Sequence, residues 1–175
     1  MPTSFGHAAA GIAAAWTADR RASHRLTLAC ALLAASPDLD LLFHTHRGPS
    51  HSIGAAMIVG TAAGLVTRRA RIGLTCGAAY ATHVLLDWLA VDTWWPYGLQ
   101  ALWPFSDTWY ISGLGWFPQT EREHFMSVHA VMTNLRAVTQ EMAILLPLLA
   151  LLWLVRVKAL ARFAAEVPGR DHPAQ

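Results

Sequence analysis

The sequence predicts an all-α protein, a multi-pass membrane bundle of about five helices with a tryptophan-rich interfacial region. Three observations carry that expectation. The 175-residue chain is 54% hydrophobic and 14% charged, with a mean hydropathy of +0.34, a balance unusual for a protein dissolved in water. Its arginines fall in short clusters between apolar runs, as membrane-topology signals do. Trp94, Trp95, Trp103 and Trp109, four of the eight tryptophans, crowd into sixteen residues, and such rings favour the headgroup level.

Taken in order, Phe5 to Thr17 is a small-residue apolar segment whose glycines and alanines suit close helix packing. Arg20, Arg21 and Arg25 follow. Leu26 to Ala35 is a second apolar run, and Pro37 disfavours helical geometry at Ser36. The polar stretch Ser36–Ser52 comes next. A third helix is expected from Ser52 to Thr67, with Ser50 or Ser52 as N-cap and Arg68, Arg69 and Arg71 closing it. Ile72 to Val91 is the strongest span, yet it contains His83 and Asp87. Asp92 to His129 lacks a helical period in its first half and reads as an interfacial cap. The last helix is expected over Val131–Phe163, kinked at Pro147. One domain, residues 1–165, is expected, with a disordered tail over 166–175. Several segments are shorter than the roughly twenty residues that cross a bilayer.

A net charge of +2 without a basic, aromatic-interleaved patch argues against a nucleic-acid partner. Cys30 and Cys76, both inside apolar segments, read as buried free thiols. Met1–His7 has no positive region ahead of an apolar core, so no cleavable signal peptide is expected. If the five segments cross alternately, Arg20, Arg21, Arg25, Arg68, Arg69, Arg71, Arg156, Lys158, Arg162 and Arg170 share one side. They are ten of the thirteen basic residues; only Arg47, Arg122 and Arg136 face the other. Positive residues mark the cytoplasm. His7, the Ser36–Ser52 stretch and the tryptophans then face outward, in an inner membrane.

His83 and Asp87, four apart, project from one helix face, and an ionisable pair in an apolar span defaults to function. The alternative is a His–Asp hydrogen bond at the membrane surface. Asp38 and Asp40 follow a proline and either converge on a cation or cap the next helix. His46 and His51 flank Arg47, a guanidinium able to grip a phosphate in bidentate fashion. His44 carries less weight, and His24, His124, His129 and His172 read as structural or exposed. Imidazole nitrogens and carboxylate oxygens without thiolate suit zinc, with manganese an alternative, as one or two ions.

These residues lie in motifs that resemble the YdjM-like membrane-bound metal-dependent hydrolases: Thr3-Ser4-Phe5-Gly6-His7, Ser36-Pro37-Asp38-Leu39-Asp40, His46-Arg47-Gly48-Pro49-Ser50-His51-Ser52 and His83-Val84-Leu85-Leu86-Asp87. Pro96-Tyr97-Gly98-Leu99-Gln100 and Leu102-Trp103-Pro104-Phe105-Ser106 complete the set, which covers about Met1 to Asp107. The resemblance implies a small multi-pass protein with metal-dependent hydrolase activity. A more distant similarity in ligand order links the chain to zinc-dependent phospholipase C and related single-strand nucleases. It implies His7, Asp38 or Asp40, His51, His83 and Asp87 as ligands, with Asp87 bridging two ions. Those enzymes add a His-x-x-x-Glu helix; neither His124 nor His129 has Glu at that spacing. Glu141 is a substitute ligand or else a solvated helix-end glutamate.

The expectation is therefore a hydrolase acting by metal-activated water on a phosphoester, with membrane lipid or a small molecule as substrate. His7, Asp38, His46, His51, His83 and Asp87 are the ligands, Asp40 is ligand or base, and Arg47 steadies an anionic substrate. A metal-binding sensor or transport component, and a purely structural membrane protein, are the competing readings. The tryptophans form either an interfacial belt or a wall for an acyl chain.

Overall fold

Side-chain caps set four of the five helix starts, and a proline ends the second helix. The computed structural model describes residues 2–43, 47–121 and 126–166. Helix α1, Ser4–Ala18, starts at Thr3, whose side chain accepts from Gly6 N at 3.3 Å. Helix α2, His24–Ala35, is capped by Ser23 through Leu26 N at 3.2 Å. At Ser36-Pro37 it tightens into a 3-10 segment, Ser36–Phe43. A 3-10 turn, Pro49–His51, precedes α3, Ile53–Thr67, which Ser52 caps through Ala55 N at 3.0 Å. Arg68 (φ 54°) ends α3 in the left-handed region, and α4, Ala70–Leu89, follows at once. Ser127 accepts from Ala130 N at 3.1 Å where α5, Val128–Glu166, begins, and α5 continues through Pro147.

Short connections make α1/α2 and α3/α4 antiparallel hairpins. Helix α4 packs on α1, α2 and α3, and α5 packs on α1. Small residues form the contacts. A Cβ on Gly11 would meet the Cys30 carbonyl, and Gly60 and Gly64 of α3 face Gly73 and Gly77 of α4 backbone to backbone. Facing Gly-x-x-x-Gly pairs let helix backbones approach closely where lipid removes the hydrophobic drive for association. The centre of the bundle holds Ala15, Cys30, Cys76 and Ala79, and both cysteines are free and buried, as expected.

The polarity is inverted relative to a water-soluble domain. Val66 and Leu74 are 85% and 76% exposed, whereas His7, Arg47, His51, His83, Asp87 and Glu141 are buried. Apolar surface outward and polar groups inward is the arrangement hydrocarbon favours. Among the described residues, only α5, over Val128–Ala159, is both long and apolar enough to cross a membrane. The 15-residue helices α1 and α3 extend about 22 Å at about 1.5 Å per residue, against a hydrocarbon core of about 30 Å. Five full-length crossings are thus not what the helix lengths provide.

Residues 90–121 form no helix. They close over one end of the bundle through Ile53 N to Ala101 O (2.9 Å), Val91 N to Phe117 O (2.8 Å) and the Leu99–Tyr110 bridge. Leu99 and Phe117 are its buried anchors, while Trp94, Trp95, Trp116 and Phe105 stand exposed on it. The peptide bonds before Pro96 and Pro104 are cis.

Candidate metal centre

Four elements bring the chemistry-bearing residues to the capped end of the bundle. Helix α1 supplies His7 from its second turn, the first 3-10 segment supplies Asp38, the turn before α3 supplies His51, and α4 supplies His83 and Asp87 one turn apart. The His51 Nε2 atom lies 3.4 Å from Asp87 Oδ2 and 4.0 Å from Asp38 Oδ1. His83 Nε2 lies 3.5 Å from Asp87 Oδ2 and 3.8 Å from Asp38 Oδ1. These four atoms are buried and lack a hydrogen-bond partner among the described residues. Donors at about 2.0–2.1 Å from a tetrahedral zinc stand about 3.4 Å apart. The separations of His51 and His83 from Asp87 meet that value, and the donors form two overlapping triads that share His83, namely His51/His83/Asp87 and His7/Asp38/His83, each with its atoms within 4.8 Å of one another.

Ring orientation is fixed from behind. His83 Nδ1 lies 2.7 Å from the Ala34 carbonyl, which only accepts; in the neutral ring the proton sits on Nδ1 and the Nε2 lone pair faces the cluster. His51 Nδ1 lies 3.1 Å from Asp40 Oδ2 and 3.1 Å from Ser50 Oγ, and Ser50 Oγ donates to Asp40 at 2.9 Å. Tyr80 steadies the same turn, donating to the Ser50 carbonyl at 2.8 Å. His7 stacks on His83 with ring centroids 3.7 Å apart and has its Nε2 3.5 Å from Asp87 Oδ1. The two carboxylate oxygens of Asp87 therefore face different histidines.

Asp87 and Asp92 pair here with the Arg47 guanidinium, while Asp38 and Asp40 lie against His83 and His51. Such an excess of carboxylates away from water must be neutralised by protons on the imidazoles or by a cation. A cleft of about 670 Å³ opens beside Asp38, lined by Thr3, Ser4, Leu39, Glu121 and Asn134 among others.

His7, Asp38, His51, His83 and Asp87 thus come together as the sequence led one to expect. Three placements differ from expectation. Asp40 sits behind His51, on the ring nitrogen opposite the cluster, so it orients a ligand instead of facing an ion. Arg47 is 1% exposed and spent on Asp87 and Asp92, so as it stands it does not reach a substrate. Glu141 is buried inside α5 instead of solvated at a helix end; it accepts from Thr3 N at 3.0 Å and Thr3 Oγ1 at 2.8 Å, docking α5 on the start of α1. His46, His44, His124 and His172 lie outside the described residues, and His24 and His129 are exposed as expected. Sequence reasoning missed Asp92 and Tyr80. Tyr80 carried a signal, a hydroxyl one turn before His83 in an apolar helix; Asp92, at a helix exit, carried none.

Outward apolar side chains, small-residue contacts and a buried His/Asp/Arg cluster together define a helical membrane protein with a candidate metal centre. The chain belongs to the YdjM inner membrane protein family, whose family model matches residues 1–163. Comparisons with curated proteins and with solved structures gave no match.

Proposed function

We propose that this inner membrane protein is a metal-dependent hydrolase that activates water for attack on a phosphoester, with the centre facing outward. The observation that carries the metal part is the pair of overlapping buried triads, His51/His83/Asp87 and His7/Asp38/His83, whose inward Asp38, His51, His83 and Asp87 atoms make no hydrogen bond among the described residues. His51 and His83 are held by Asp40 and the Ala34 carbonyl with Nε2 inward, and Asp87 offers one oxygen to His7's side and one to His51 and His83. A divalent ion bound there, zinc by the nitrogen and oxygen donor set, supplies Lewis acidity and activates water near neutral pH. The cleft beside Asp38 admits substrate, and its position at the capped end favours a lipid or another membrane-surface phosphoester.

Orientation takes its support from the opposite end of the bundle. Arg71 donates to the Ala18 carbonyl and Arg156 to the Ala22 carbonyl, so the arginine-rich linkers and the latter part of α5 meet there, away from the centre. By the positive-inside tendency that end is the cytoplasmic one in this reading, which takes the bundle as multi-pass. Glu141 and Arg156, fifteen residues apart on α5, are separated by about 22 Å. The short helices then fit a locally thinned bilayer or one entered by the tryptophan-rich cap.

Metal analysis of the protein purified in detergent is the test. Stoichiometric metal in wild type, lost in His83→Ala and Asp87→Ala, supports the centre; wild type without metal refutes it. Chelator-sensitive turnover of phospholipid or a generic phosphodiester, abolished in Asp38→Ala, supports the enzyme. Metal without turnover favours the non-catalytic sensor reading, which draws support from the commitment of Arg47 to Asp87 and Asp92.

A further inference from the structure

The geometry points to Asp92 as a positioning residue of this centre: acting through Arg47, it sets the Asp87 carboxylate and ties the tryptophan-rich segment to the same point. The inference rests on the metal reading above.

Asp92 lies just beyond α4 and is itself held by backbone. Its Oδ1 accepts from Trp94 N at 3.1 Å and its Oδ2 from Gly98 N at 2.9 Å. Gly98 has φ 96°, and a Cβ there would run into the Tyr110 backbone, so the loop that offers this amide requires glycine. The same Oδ2 lies 2.9 Å from Arg47 NH1. On its other edge the guanidinium meets Asp87, Nε to Oδ2 at 3.2 Å and NH2 to Oδ1 at 3.4 Å.

The distances rank the partners. Arg47 is bound more closely by Asp92 than by Asp87, and its backbone is fixed as well, with φ 51° and its carbonyl accepting from Gln100 N at 3.2 Å. A guanidinium anchored this way hydrogen-bonds Asp87 Oδ1 through NH2 and lies within ion-pair distance of Oδ2, so it restrains that carboxylate while leaving Oδ2 without a hydrogen bond. Because Asp92 shares the positive charge, Asp87 keeps enough negative charge to attract a cation. Without Asp92, Arg47 has Asp87 as its remaining charged partner in this triad and competes with the ion for it. Loss of an orienting partner behind a ligand typically weakens metal binding about 10- to 100-fold.

The test is titration of the purified full chain in detergent with cobalt(II) chloride against a competing chelator, followed by the visible absorption of bound cobalt. Asp92→Asn is expected to weaken cobalt binding about 10- to 100-fold. Asp92→Glu keeps the charge but displaces the carboxylate, and is expected to fall between wild type and Asp92→Asn; it is the variant read if Asp92→Asn does not fold. In an Arg47→Gln background, Asp92→Asn should add little further loss, because its route to Asp87 is already gone. Wild type that binds no cobalt refutes the metal centre itself. Wild type that binds while Asp92→Asn and Asp92→Glu bind equally well overturns only the role given to Asp92. A loss from Asp92→Asn that persists undiminished with Arg47→Gln also overturns it.

Discussion

Gly11 tests whether the close approach of α1 to α2 sets the metal geometry. An added Cβ would lie 2.7 Å from Ala34 Cβ and 2.9 Å from the Cys30 carbonyl carbon, whereas carbon atoms at ordinary contact sit about 3.5–4.0 Å apart. Relief of the clash therefore requires α1 to move by about 1 Å. His7 is one turn before Gly11 on the same helix face, and Ala34 is the residue whose carbonyl orients His83. Metal ligands tolerate about 0.2 Å. Global stability is the less sensitive readout, since overpacking costs about 1–3 kcal/mol while replacing a helical glycine returns about 0.8–1.0 kcal/mol. Gly11→Ala should thus remain folded, within about 2 kcal/mol of wild type, and lose about tenfold or more in cobalt affinity. Gly64→Ala is the matched control: its nearest neighbour, Gly73 Cα at 3.6 Å, is at ordinary contact distance. It should leave cobalt binding unchanged and stabilise the protein by about 0.5–1 kcal/mol. Equal cobalt affinity in Gly11→Ala and wild type refutes the link between the α1/α2 contact and the centre.

Three further outcomes are expected. Thr3→Ala removes both the α1 cap and a hydrogen bond to buried Glu141, costing about 2–4 kcal/mol in denaturant unfolding, while Thr3→Ser stays close to wild type. Tyr80→Phe frees the Ser50 carbonyl, costs about 0.5–1.5 kcal/mol, and should weaken cobalt binding by loosening the turn that carries His51. Protons compete with an ion for the His and Asp donor atoms, so the cobalt dissociation constant should rise as pH falls from about 7.5 to about 5.5; a flat profile speaks against imidazole ligation.

The helices were largely legible in the sequence because apolar runs here are bounded by arginines and prolines. Helices α1 and α3 begin and end within a residue of where the hydropathy pattern placed them, and α5 is longer than expected by three residues at each end. Of the centre, His7, Asp38, His51, His83 and Asp87 were legible because polar groups stand out in an apolar chain. Side-chain direction was not. Asp38 and Asp40 look equivalent in sequence, yet the 3-10 geometry sends one towards the cluster and the other behind His51. Arg47 reads as a substrate clamp until Asp92, forty-five residues away, is seen to share it. The Thr3–Glu141 contact joins residues 138 apart and has no local signature. Sequence reasoning missed Gly60-x-x-x-Gly64 and Gly73-x-x-x-Gly77, whose spacing is a signal for the α3/α4 contact.

The scatter of the five converging residues has a consequence for biogenesis. They occupy positions 7, 38, 51, 83 and 87, so a nascent chain that has released only its first hairpin holds His7 and Asp38 without their partners. Completion of α4 contributes His83 and Asp87 together. Last comes α5, whose Glu141 fastens the start of the earliest helix. Synthesis from the N-terminus therefore defers the full His/Asp set until four helices stand side by side.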